Sequence, residues 1–220
     1  VSKTRNQGIQ IAKGDFVAFV DNDDLVEPDY LATLYQSIMQ SNADAVFSGY
    51  TRMTYSGKVL FKETLNQTEW SKYVVMAPWA KLYRKQILLE NQVKFFNYGI
   101  GEDVAFNLQF LSKANKIEII GYSGYKWMFN DDSVSNTSQR GLDDNLDIRI
   151  LLAEILKSNP VPDDYLSYFI YRYYIWYLLF SGRSSNKKQF LDYNQKIKTF
   201  LRQQNIFRRI SPLSKKLKGE

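Results

Sequence analysis

The chain has 220 residues, 45% apolar and 24% charged, with a net charge of +6. That length buries a real core, and the composition excludes wholesale disorder, collagen-like repeats and low-complexity sequence. Cysteine and histidine are both absent, which excludes disulfides, thiolate chemistry, Ser-His-Asp and Cys-His catalysis, and His or Cys metal sites.

The first residues, Val1–Asn6, carry no starting Met and no apolar signal region. They read as the interior of a longer sequence, with the cytoplasm as the default compartment. No apolar run reaches the roughly 18 residues of a membrane-spanning helix. Phe16-Val17-Ala18-Phe19-Val20 is a continuous apolar run, which predicts a strand covered on both faces, as in a parallel α/β sheet. It ends in Asp21-Asn22-Asp23-Asp24. Pro28 marks a first helical turn, and Leu31, Leu34, Tyr35, Ile38 and Met39 follow at helical spacing. Ala45-Val46-Phe47 reads as the next strand. Ser56-Gly57 turns the chain between extended stretches at 52–55 and 58–61. Residues 79–83 read as extended and 85–91 as a short helix. Gly99-Ile100-Gly101 is a loop into Glu102-Asp103, which opens a helix to about residue 113. Residues 117–120 and 122–129 read as two strands, and 130–141 as a polar loop.

Beyond Gly141 the pattern is helical. The spacing predicts helices over 142–157 (ended by Asn159-Pro160), 163–181 and 187–204. The composition shift divides residues 1–140 from 141–220. Residues 165–180 hold nine aromatics in sixteen positions, and 181–220 hold 11 Lys/Arg against 2 Asp/Glu. That leaves 18 basic against 21 acidic residues in the first 180. Tyr and Trp favour surfaces dry at one end and wet at the other. With the basic tail, they point to peripheral contact with anionic lipid at the inner face of the cell membrane. Packing on the preceding domain, a homodimer interface, or a solvated basic helix are the plainer readings. No recognised nucleic-acid motif accompanies the tail, so no nucleic-acid partner is expected.

The chemistry left to this inventory belongs to carboxylates and oxygen-bound hard cations. Asp21, Asp23 and Asp24 follow an apolar run, and in open α/β sheets ligands bind beyond the carboxyl ends of strands. Three close carboxylates repel one another, and Mg²⁺ or Mn²⁺ relieves that repulsion. An EF-hand loop starting at Asp21 fails, because Val26 and Ala32 stand where Gly and Glu are required. An acidic turn capping the next helix remains open beside the metal site.

The pattern Ser2-x-x-Arg5-Asn6-x-Gly8-Ile9, continuing through Gly14, Phe16, Val17, Phe19 and Val20 to Asp21-x-Asp23-Asp24, resembles the central signature of glycosyltransferase family 2. Pro78-Trp79-x-Lys81-Leu82-Tyr83 and Phe96-x-x-Gly99-x-x-Glu102-Asp103 are similar to its acceptor-side elements. Tyr125-x-Trp127-x-x-Asn130-x-x-Ser133 is similar to its closing loop. The four occur in family order over residues 1 to about 135.

The resemblance implies a GT-A-like α/β fold, a partial Rossmann-like mixed sheet, followed here by a C-terminal helical region. It implies a metal-dependent, usually inverting transferase with a nucleotide-sugar donor and a glycan or lipid-linked acceptor, as in cell-surface polysaccharide synthesis. By the same resemblance Asp21 and Asp23 hold Mn²⁺ or Mg²⁺ on the donor diphosphate, with Asp24 beside them, and Arg5 and Asn6 contact the donor. Asp103, with Glu102 as second choice, is the base; its plain reading is a helix cap. Trp79, Lys81, Asn130 and Ser133 face the acceptor. Trp79 reads equally as core, and Lys81 as a solvated strand residue.

Two departures stand out. Met128 occupies a position where the family often has Arg. The family's first half, about three βα units, is expected before Val1, so the chain reads as a fragment or a truncated product. A nucleotidyltransferase, or a non-catalytic glycan-binding or assembly module, are the competing functions.

Overall fold

The computed structural model describes residues 1–98, 101–129, 142, 147–159, 163–208 and 210. The chain divides into two compact units, residues 1–97 with 101–133, and residues 98–100 with 134–220.

The first unit runs α1 (Ser2–Ile11), β1 (Phe16–Val17), β2 (Leu25–Val26), α2 (Tyr30–Ser41), β3 (Ala45–Met53), β4 (Val59–Glu63), a 3₁₀ turn (Glu69–Tyr73), β5 (Lys81–Arg84), α3 (Lys85–Glu90), α4 (Glu102–Leu111) and β6 (Ile117–Met128). The sheet order is β1-β5-β3-β6-β2, with β4 beside β3. Only β3 and β6 run parallel; the other pairs are antiparallel. The sheet is therefore mixed, as expected.

The apolar run Phe16–Val20 departs from its expectation. Only Phe16 and Val17 are strand, paired antiparallel with β5, and Val20 is 49% exposed. Continuous apolarity marks burial but does not choose a partner, and β5 is the strand these residues meet. The central β3 takes the place its sequence predicts: Ala45, Val46 and Phe47 are fully buried between β5 and β6. Gly57 turns β3 into β4 at φ +88°, the left-handed region open to glycine. Residues 117–120 and 122–129, read as two strands, fall in one continuous β6 that ends at Met128. The break at Gly121 is a shift of register, since Ser48 faces Ile120 but Tyr50 already faces Tyr125.

Helix α2 buries Tyr30, Leu34 and Ile38, at i, i+4 and i+8, while Leu31, Tyr35 and Met39 stay about half exposed. Each fully buried side chain of this kind contributes about 1.5–3 kcal/mol. Helix α1 was not signalled by periodicity, because only Ile9 of its ten residues is buried.

The second unit holds α5 (Ile148–Ser158), α6 (Asp164–Ser181) and α7 (Lys187–Gln203). Caps define their starts. Asp147 accepts from the Arg149 N–H, Asp163 from Leu166, and Asn186 and Gln189 form a reciprocal capping box. Helix α5 begins at Ile148 rather than Leu142. Among the described residues no helix is long and apolar enough to cross a membrane.

Candidate active site

Helix α1, the turn after β1 and the start of α4 meet at one arginine. Arg5 Nη1 donates to Asp103 Oδ1 at 2.6 Å, and Arg5 Nη2 donates to Asp21 Oδ1 at 2.8 Å. The guanidinium lies over the Phe95 ring at 5.2 Å. Burial opposes its charge, yet Asp103 and Asp21 together raise its pKa. Gly101 enters α4 at φ +82°, which suits glycine, and sets Glu102 and Asp103 in the first turn. Burial pushes the Asp103 carboxyl up to about 6, despite the opposing pull of Arg5.

The Asp21–Asp24 turn is folded around one hydroxyl. The Asp21 N–H donates to Tyr125 Oη at 3.1 Å, and Tyr125 Oη donates to Asp24 Oδ2 at 2.5 Å. The Met128 N–H donates to Asp24 Oδ1 at 2.9 Å. Asp24 is buried and both its oxygens are engaged within the fold; burial raises its pKa against those two donors. Asp24, expected among the metal ligands, thus braces the turn. Asp23 is exposed, and its carbonyl accepts from Tyr55 Oη at 3.2 Å. Among the described residues no group of three or more carboxylates is assembled for a metal. The donor set that remains is Asp21 with Asp23. Two carboxylates fit an ion such as Mg²⁺, which completes its shell with water and phosphate oxygens.

Three other candidate residues meet partners inside the fold. Asn6 was expected to meet the donor. Its Nδ2 instead donates to the Phe95 carbonyl and its Oδ1 accepts from the Phe95 N–H, both at 2.8 Å, so its amide pins α1 to segment 93–97. Lys81 was expected to face the acceptor. It is fully buried, and Nζ donates to the carbonyls of Val75 and Ala77 at 2.6 Å and more weakly to Trp79. Burial pulls its pKa down to about 7. A buried ammonium needs partners on every side, and these carbonyls take it out of reach of a ligand. Trp79 is 8% exposed and stacks on Tyr125 at 4.6 Å and 6°, so its core reading holds. Asn130 and Ser133 lie outside the described residues.

Segment 75–80 is held from below. Asn107 of α4 donates to the Met76 carbonyl at 2.7 Å and accepts from Tyr83 Oη at 2.8 Å. Ala80 sits at φ +58° with its carbonyl bonded to the Ser48 N–H and hydroxyl. A non-glycine residue there is strained and persists because its surroundings over-determine it. Sequence reading missed Tyr125, Asn107 and Ser48 as organisers of the site. Their only local signal is a polar group inside an apolar strand or helix.

The profile of the family "Glycosyl transferase family 2" matches residues 1–99. An uncharacterized glycosyltransferase, YibD, of Escherichia coli (strain K12) is 29% identical over 160 residues, covering 64% of this chain and 45% of YibD. A poly(ribitol-phosphate) beta-glucosyltransferase of Bacillus spizizenii is 29% identical over 133 residues, covering 58% of this chain and 21% of that protein. The crystal structure of S. aureus TarS 1-349 in complex with UDP-GlcNAc superposes with a TM-score of 0.68 at 22% identity, over 88% of this chain and 59% of that one. The chain spans 22%, 45% and 51% of the lengths of three such curated relatives. Residues 1–99 thus resemble glycosyl transferase family 2, and the chain shares its GT-A-like fold with TarS.

Proposed function

We propose that this chain is the metal and acceptor side of a glycosyltransferase. The enzyme moves a sugar from a nucleotide-sugar donor to a glycan or lipid-linked acceptor in cell-surface polysaccharide synthesis, with inversion. The observation that carries the reading is the span of Arg5, whose two terminal nitrogens reach Asp21 and Asp103 at once. One guanidinium thereby sets the candidate donor-side carboxylate beside the candidate base.

Asp21 and Asp23 are the residues that would hold Mn²⁺ or Mg²⁺. When bound, the ion supplies Lewis-acid neutralisation of the departing diphosphate. Asp103, with a pKa near 6, is ionised at neutral pH and basic enough to take the acceptor hydroxyl proton. Glu102, beside it in the first turn of α4, adds negative charge that favours the protonated form. Asp24, Asn6 and Lys81 hold the backbone that presents these groups. The neighbour bound to UDP-GlcNAc makes UDP-sugars the first donors to test. The relatives named for poly(ribitol-phosphate) suggest cell-envelope polymers as acceptors.

The second unit supports a peripheral role at an anionic membrane surface on the cytoplasmic side. On α6, Ile175, Trp176 and Leu179 are 36%, 45% and 62% exposed at i, i+1 and i+4. Arg172 and Arg183 flank them along the chain, and Lys187 and Lys188 open α7. This is the apolar stripe with cationic neighbours that suits an interfacial helix.

The test is a panel of nucleotide sugars given to the complete protein with Mn²⁺, reading nucleoside diphosphate release. Activity is expected with one of them, and Asp23→Ala, an exposed change, is expected to abolish it with the fold intact. Full metal-dependent turnover by Asp23→Ala rejects the metal assignment.

A further inference from the structure

Arg52 has no use in the site described above. It stands near the end of β3, in register with Trp127 of β6 and Phe61 of β4. Its guanidinium lies 4.3 Å from the Trp127 ring centre and 5.1 Å from that of Phe129. Nε is buried and has no hydrogen-bond partner. Among the described residues Arg52 makes no ion pair or side-chain hydrogen bond. With Nε covered by the rings, the two terminal nitrogens are the donors left for a ligand.

The surroundings are those of a binding face. Tyr50, two residues earlier on the same face of β3, meets Trp79 at 5.1 Å, Trp127 at 5.8 Å and Phe61 at 6.1 Å. Phe61 is 49% exposed. Tyr125 and Trp127 are two apart on β6 and share that face, and Tyr125 Oη carries the Asp21–Asp24 turn. Arg52 therefore stands on the same side of the sheet as the candidate metal turn, among aromatic rings. Rings bind the apolar faces of sugars or polyols, and an arginine fork held by stacking binds phosphate oxygens in bidentate fashion. Aromatic packing also pre-orients the guanidinium, so that less freedom is lost on binding.

We propose that Arg52, with Trp127 and Phe129, is an acceptor subsite that recognises a phosphate ester on the acceptor. The inference rests on the transferase reading, and it names the acceptor class as phosphate-bearing rather than neutral. Arg52 is the specificity residue, and the rings around it hold the adjoining polyol or sugar.

The test uses the complete protein and glycerol 3-phosphate as probe, with glycerol as the neutral control, followed by intrinsic tryptophan fluorescence. Glycerol 3-phosphate is expected to bind and glycerol not to. Arg52→Gln is expected to weaken the phosphate ester at least tenfold with near-UV circular dichroism unchanged, and Arg52→Lys to restore part of the loss as a point charge. A parallel titration with UDP and Mn²⁺ reports on the donor site. Undiminished glycerol 3-phosphate binding by Arg52→Gln overturns the subsite. So does a loss shared equally by UDP, which assigns Arg52 to the donor phosphates. Failure of UDP and Mn²⁺ to bind the unaltered complete protein counts against the transferase reading alone, since the phosphate-ester arm reads separately. If Arg52→Gln loses its fold, Trp127→Phe is read instead. It keeps an aromatic ring but removes the reporter, so an undiminished emission change on adding glycerol 3-phosphate means the remaining tryptophans report another site, which also overturns the proposal.

Discussion

Asp21 and Asp103, from the turn after β1 and from the first turn of α4, accept hydrogen bonds from the two ends of a single guanidinium. Two carboxylates this near repel each other, and Asp21 adds to the burial that raises the Asp103 pKa. Arg5 offsets that repulsion and fixes their separation. The contact between Arg5 and Asp103 joins residues 98 apart in the chain, so it closes the unit as well as ordering the site.

Asp103→Asn tests the base. Asn keeps an oxygen for Arg5 but cannot take a proton. General-base contributions run about 10²–10⁴-fold, roughly 3–5 kcal/mol. The loss is expected in the transfer step with metal and donor affinity little changed. A helix cap alone would tolerate Asn well, so a rate within about threefold of wild type moves the base elsewhere.

The same carboxyl sets a pH dependence. Its folded pKa, about 6, is above its unfolded value, burial being the main cause. The transfer rate is expected to rise with pH through about 6 and then level. Stability runs the other way. The folded state holds its proton more tightly, so this group favours folding below its unfolded pKa, and the contribution is lost as pH rises through about 6. Arg5→Gln removes the charge that lowers the pKa, and is expected to shift the rising limb of the rate profile to higher pH.

Tyr125→Phe removes the hydroxyl that accepts from the Asp21 N–H and donates to Asp24. A buried carboxylate oxygen is left without its donor, at a cost of about 1–3 kcal/mol or more. Urea denaturation is expected to show that loss, and Mn²⁺ titration a weaker apparent affinity, because the turn carrying Asp21 and Asp23 loses its pin. Unchanged Mn²⁺ response would separate the pin from the metal site.

Lys81→Met keeps the length of the side chain and strands the carbonyls of Val75 and Ala77. Each buried acceptor left unpaired costs about 1–3 kcal/mol. The variant is expected to melt lower than wild type, with acceptor specificity unchanged in whatever activity survives. A specificity change without destabilisation would return Lys81 to the acceptor side.

Trp176→Ser with Leu179→Ser tests the second unit. Wild type is expected to sediment with vesicles rich in phosphatidylserine or phosphatidylglycerol and not with neutral phosphatidylcholine, and to dissociate as salt rises. The double variant, altered at half-exposed positions, is expected to stay in the supernatant with its helical circular dichroism intact.

The sequence alone determined where chain direction and local covering are set by neighbouring residues. Gly57 demands a turn, Asn159-Pro160 ends a helix, and the apolar triplet Ala45-Val46-Phe47 demands burial. The carboxylates Asp21, Asp23 and Asp103 stood out because few other groups in a chain without His or Cys can do chemistry. Tertiary structure alone decided which polar groups are free to do it. Asn6, Asp24 and Lys81 have the residue types of a site, yet each is consumed within the fold, Asn6 and Asp24 by partners remote in sequence and Lys81 by carbonyls of the segment just before it. A polar side chain shows its chemistry locally. Its availability depends on what the fold brings within about 3 Å of it, which for Asn6 is Phe95, for Asp24 is Tyr125, and for Arg5 is the pair of carboxylates it holds together.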